Sequence, residues 1–158
     1  MADKEAVPVE GTDIDVNIWT MPAVFVLETR MPDGMVEDLN TYLDDLREQA
    51  DKESLAHSLV GQIAHGEQLN MDPEHEKVRQ YSKFITSLGA EYINHFMKST
   101  GQSLPKNRQV AIDETWSVHS YAGDYNPIHD HGTKTIMGIS TTCWTKVPQQ
   151  ILDQPAAG

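Results

Sequence analysis

The sequence predicts an α+β protein in which helices come first and sheet second. Two observations carry that order. Apolar residues recur at helical spacing in two stretches before Gly101, and the text after Ala111 turns rich in Thr, Ser, Ile, Val and Trp, residues that suit strands. A third observation bounds the answer: 158 residues, 39% hydrophobic and 23% charged, make one domain of ordinary globular composition with enough chain to bury a core.

The elements follow in order. Residues 1–17 are polar and acidic, with Pro8 and Gly11, and are expected to form a flexible leader before a single domain over 18–158. Val24, Phe25, Val26 and Leu27 make a short β-branched and aromatic strand, closed by Pro32 and Gly34. A helix comes next: Met35, Val36, Leu39, Leu43 and Leu46 recur at helical spacing, with Asp33 as its N-cap and Asp38, Asp44, Asp45 and Glu48 on a solvated face. The stretch from Ser54 to Leu69 holds glycines and histidines without a period and is predicted irregular. A second helix opens at Asp72-Pro73, an N-cap followed by proline at the first helical position. It carries Val78, Tyr81, Ile85, Leu88, Tyr92 and Phe96 on one face, and Gly101 stops it. Then "AIDETWSVHSY" and "KTIMGISTTCW" are predicted strands.

Charge narrows the function classes. A formal net charge of −12 creates a field that repels phosphate backbones and anionic membrane surfaces, so neither nucleic acid nor membrane is an expected partner. One cysteine, Cys143, cannot form an internal disulfide, and the first residues have neither the basic start nor the apolar run of a signal peptide. A cytoplasmic location is expected. Cys143 itself, between Thr142 and Trp144, reads as a small buried hydrophobe, with no basic neighbour to lower its pKa.

Chemistry concentrates in "GDYNPIHDHG", Gly123 to Gly132. On a strand, residues i and i+2 share a face, so His129 and His131 point together while Asp130 points away. Two imidazoles placed so can reach one metal, and neutral imidazole suits iron, zinc, copper and nickel. The competing reading is a pair of partly exposed histidines bonded to water and backbone; the pair alone leaves both open. His57, His65 and His95 have no close partner in sequence and read as structural. His119 lies on the strand leading to the motif, and the Gly123-Asp124 break leaves its face undetermined.

The run "ETWSVHSYAGDYNPIHDHGTKTIMGISTTCWTKVPQQI" resembles the 2-oxoglutarate- and Fe(II)-dependent oxygenases of the phage-type branch, distant relatives of the prolyl hydroxylases. Trp116, Tyr121, Gly123, Asp124, Tyr125, Asn126, Pro127, His129, His131, Gly138, Ser140, Val147 and Pro148 stand at matching places. "LVGQIAHGEQLNMD", Leu59 to Asp72, is similar to the segment before the second helix in those proteins. The likeness therefore extends over most of the chain from about Ala23, and is most specific from Gly123 to His131.

This resemblance implies a jelly-roll core, a double-stranded β-helix with the two helices on its outer face, and Fe(II) with 2-oxoglutarate as cofactors. It implies a hydroxylase-type oxidation of some substrate beside a small-molecule co-substrate, in a host cytoplasm if the chain is phage-encoded. By resemblance His129 is the first metal ligand, and His131 stands where the prolyl hydroxylases have a carboxylate. Tyr121, Tyr125 and Ser140 are candidates to line the co-substrate pocket.

One departure is large. The family's distal histidine and its basic clamp for the co-substrate lie on later strands, but no histidine or arginine follows His131, only Lys134 and Lys146. The sequence therefore reads as a chain lacking the C-terminal strands of its jelly roll. The alternative is a non-catalytic jelly-roll binding or structural module, possibly phage-related, with or without a metal on His129 and His131.

Overall fold

A computed structural model of the chain describes residues 3–8, 15–21, 24–56, 61, 64–103, 109–127 and 138–154. The element order is β1 (Asp3–Pro8), β2 (Asp15–Met21), β3 (Val24–Thr29), α1 (Asp33–Glu48), β4 (Glu67–Asn70), α2 (Glu76–Thr100), β5 (Trp116–His119) and α3 (Gln149–Leu152). Mixed helix and antiparallel sheet is the observed class; no double-stranded β-helix is seen among the described residues. No described helix is long and apolar enough to cross a membrane. The chain divides into two compact units, one formed by Met1–Met35 with Pro73–Glu114 and the other by Val36–Asp72 with Thr115–Gly158.

In the first unit, residues 3–8 and 15–17 of the expected leader lie in strands. Its strands β1, β2 and β3 form an antiparallel sheet in sequence order, with Val7 opposite Val16 and Ile18 opposite Leu27. The polar composition of the leader hides a two-residue period, since Val16 and Ile18 share one face of β2 and both are buried. Pro8 is the last residue of β1, opposite Asp15, at a strand end where proline is tolerated. The predicted strand at Val24–Leu27 is the core of β3.

Helix α2 packs on β3. The ring of Phe25 meets the rings of His95 and Phe96 edge to face, at centroid distances of 6.1 and 5.1 Å. Tyr92 Oη donates to the Phe25 carbonyl at 3.0 Å, and burial pushes its phenol up from its ordinary value. The helix begins at Glu76 rather than at Asp72-Pro73: His75 is the N-cap, its Nδ1 accepting the Lys77 N–H at 3.3 Å. The Asp72 N–H goes instead to Tyr42 Oη at 2.8 Å, which holds Asp72 in the preceding segment. Gly101 ends the helix as predicted, in the left-handed conformation with φ 67°.

The second unit has α1 and a two-stranded sheet. In α1, Leu39, Tyr42 and Leu46 form the buried stripe; Tyr42 takes a place the apolar pattern gave to Leu43, because its hydroxyl finds the Asp72 amide. Asp33 is the first residue of α1, and its carboxylate pairs with Arg30 at 2.8 Å. Strands β4 and β5 are antiparallel, with Glu67 opposite His119 and Leu69 opposite Ser117. The stretch expected to be irregular thus ends in a strand, and Ser54 adds a bridge to Leu69. Strand β5 confirms "WSVH" as extended, whereas residues 138–144 of "KTIMGISTTCW" form no strand, having no paired neighbour among the described residues. Cys143 is exposed rather than buried.

Candidate functional site

His129 and His131, the predicted metal ligands, lie outside the described residues, as does His57. What the structure does place is the approach to them. Strand β5 ends at His119, and the chain then turns through Tyr121–Asp124, the Asp124 N–H bonding to the Tyr121 carbonyl at 3.0 Å. Gly123 has φ 93°, a conformation that side chains rarely tolerate, so this turn requires the glycine.

Asp124 closes the turn and ties it to a segment sixty residues earlier. One carboxylate oxygen accepts the N–H groups of Ala64 and His65 at 2.8 and 3.3 Å; the other accepts the Tyr121 N–H at 2.8 Å. These amide bonds, the one from Tyr121 foremost, hold the carboxyl below its ordinary value. Gly61 makes the same junction tighter. A Cβ built there would stand 2.7 Å from the Asn126 Cα and 2.9 Å from the Tyr125 carbonyl carbon, so two backbones touch where no side chain fits.

A polar cluster gathers around His119. Its Nε2 lies 3.1 Å from Ser117 Oγ, two residues away on the same face of β5. Burial first, and the Arg47 guanidinium second, push the imidazole below its ordinary value, so it is neutral at pH 7. Across the ladder Glu67 receives Lys52 Nζ at 2.8 Å and faces Arg47 Nε at 3.7 Å. The Lys52 hydrogen bond is the main cause that holds Glu67 below the usual carboxylate range. Arg47 Nη2 donates to Tyr121 Oη at 2.5 Å, while its buried Nε has no hydrogen-bond partner among the described residues. Lys146 Nζ reaches both Asp44 oxygens at 2.6 Å and lowers the pKa of that carboxyl. Asp44, Arg47 and Glu48 line a shallow pocket of about 280 Å³.

The predicted co-substrate residues are spread out. Tyr121 is anchored by Arg47, but Tyr125 is 64% exposed and Ser140 is also exposed. The sequence reading missed Arg47, Glu67 and Lys52 altogether, and treated Asp44 as merely solvated. The available signal was the i, i+3 spacing of Asp44 and Arg47 on α1; their partners Lys146 and Tyr121 come from far along the chain and leave no local trace.

Two imidazoles from one short motif are a donor set that suits Fe(II), and in that respect the sequence fits the metal the resemblance implies. Asp124, the described carboxylate nearest the motif in sequence, is committed to three amides, and no group of three or more His, Cys, Asp or Glu side chains able to hold a metal occurs among the described residues. Comparison with known proteins returned no matching family model, no matching curated protein and no matching solved structure.

Proposed function

We propose that this chain is a 2-oxoglutarate- and Fe(II)-dependent dioxygenase that performs a hydroxylase-type oxidation. His129 and His131 are its metal ligands, and the fold is a double-stranded β-helix in its finer form. One observation supports the reading above the rest. The two stretches that separately resemble the family, Leu59–Asp72 and Trp116–Pro148, meet through Asp124 on Ala64 and His65 and through Gly61 on Tyr125 and Asn126. Iron in such a site would supply the oxidising centre; the chain's own part is to present two imidazoles from a fixed turn.

A second reading, a non-catalytic jelly-roll module, draws on a different observation: the carboxylates of Glu67 and Asp124 are already engaged by Lys52 and by backbone amides. Anaerobic titration with Fe(II) and 2-oxoglutarate separates the two. The oxygenase reading expects the visible charge-transfer band of the chelate, abolished by His129→Ala. No band at any iron concentration, or a band indifferent to His129→Ala, favours the non-catalytic module.

A further inference from the structure

Residues 138–154 are attached to the second unit by very little. None of them is buried; Trp144 is 77% exposed, and only Ile139, Thr145 and Val147 are partly covered. Residues 138–147 pair with no strand, and the hydrogen bonds of 148–154 stay within and around α3. Among the described residues two links join the segment to the rest of the chain, and both end on α1. Asn40 Nδ2 donates to the Thr145 carbonyl at 3.1 Å, and Lys146 Nζ reaches both oxygens of Asp44 at 2.6 Å. Positions 40 and 44 are neighbours on one face of a helix, so a stretch of chain laid along α1 meets both at once.

Links of this kind are reversible. Lys146 and Asp44 are 58% and 52% exposed, and an exposed ion pair holds little against water and salt. Closure also meets an opposing force. Asn40 Oδ1, the other end of the amide that holds Thr145, is buried with no hydrogen-bond partner among the described residues, and an acceptor kept from water disfavours the state that hides it. With no buried side chain to add cohesion, residues 144–147 belong to the part of the fold that opens locally before the core does. Asp44 also lines the pocket it shares with Arg47 and Glu48, which places Lys146 at that pocket's rim while the segment is down.

We infer that residues 144–147 are a strap that opens and closes along α1 at the rim of the Asp44–Arg47–Glu48 pocket, with the Lys146–Asp44 ion pair as its latch. Closed, the strap neutralises Asp44. Open, it takes one positive charge away from the rim and gives Asn40 Oδ1 to water. Ionic strength therefore controls it, and the inference stands apart from the metal reading of His129 and His131.

Cys143, the only cysteine and an exposed one, adjoins the strap and takes a nitroxide label without any substitution. The EPR line shape of the labelled full chain separates a restrained, closed population from a free, open one. Asp44→Asn and Lys146→Gln should each raise the open-to-closed ratio roughly two- to fivefold, the range an exposed pair accounts for. Raising salt from about 0.1 to about 1 M, which shortens the screening length from about 10 to about 3 Å, should move the wild-type ratio the same way and leave both variants nearly unmoved. Exchanging the charges, Asp44→Lys together with Lys146→Asp, should bring the ratio back toward the wild-type value. Lys146→Gln changes the strap alone, so it carries the test if a substitution in α1 disturbs the helix.

A single free component in the wild-type chain would mean that the strap never closes. A single restrained component, unmoved by Asp44→Asn and Lys146→Gln, would mean that it never opens. Either result overturns the inference, and so does a loosening by both single variants that the charge exchange fails to reverse, since the latch is then not the ion pair.

Discussion

The three-stranded sheet with α2 and the β4–β5 pair with α1 are held together in different ways. In the first, Val16, Ile18 and Val78 are buried, and three rings, Phe25, His95 and Phe96, stack edge to face. In the second, the apolar residues Leu39, Tyr42, Leu46, Leu69 and Met71 are joined by directional links over long sequence separations: Arg47 to Tyr121, Lys146 to Asp44, Asn40 to Thr145, Asp124 to Ala64. Apolar burial scales with area and has no direction, whereas hydrogen bonds add modest net stability and fix orientation. The difference teaches where to look for chemistry. The unit that spends side chains on orientation is the one whose β5 leads to the His-x-His motif.

The sharpest way to break this contrast is to remove the apolar part of the second unit. Leu69 is 1% exposed, and Leu69→Ala should cost about 2–5 kcal/mol through lost transfer energy and a residual cavity. Amide hydrogen exchange should then accelerate in Glu67–Asn70 and Trp116–His119 well before it does in β1, β2 and β3. Equal acceleration in both units would mean that they open as a single cooperative body and that the contrast has no energetic content.

How much of this was legible depended on whether the cause of each feature was local. Helix α1, the centre of β3 and the stop at Gly101 follow from periodicity and from one residue's conformational range, and the sequence reading found them. Strands β1 and β2 were missed because a sheet is stabilised by partners, and the alternation of Val16 and Ile18 is too short to stand out among acidic residues. The start of α2 was misplaced by one turn: the N-cap is His75, whose Nδ1 accepts the Lys77 N–H, while Asp72 lies in the preceding segment with its amide on Tyr42 from thirty residues away. The polar cluster at His119 was invisible for the same reason. The bonding of Asp124 was half legible: the motif marked the residue as notable, but only the fold reveals that its partners include Ala64 and His65.

A medium-sized effect sharpens the comparison through two tyrosines that each make one hydroxyl hydrogen bond. Tyr92→Phe removes a part-buried donor from the Phe25 carbonyl and should cost about 0.5–1.5 kcal/mol in urea denaturation. Tyr121→Phe removes an exposed bond to Arg47, where water replaces the lost partner, and should leave the midpoint almost unmoved. The reverse order would place more of the second unit's stability in its polar links than its exposure allows.

The smallest expected effect is the response to mild acid, and its sign follows from His119. Burial and Arg47 hold this imidazole below 6.5 in the folded chain, so as pH falls through 6.5 the unfolded state takes up the proton first. Stability is lost from that point down to the folded value, and none is lost above it. Glu67 and Asp44 behave differently: their folded values are depressed, chiefly by Lys52 and Lys146, so their contribution is complete at neutral pH and disappears only as pH falls below 4.5 and 3.8 toward the folded values. Between pH 7 and 5 the titration of His119 is therefore separable from theirs. Urea midpoints measured across that interval should decline, with the accompanying rise in amide exchange in β4 and β5 rather than in β1–β3. His119→Gln, which keeps a polar group near Ser117 and removes the titration, should flatten the decline. A slope unchanged in His119→Gln would mean that the proton is taken up elsewhere and that the neutrality of His119 contributes nothing to holding the second unit together.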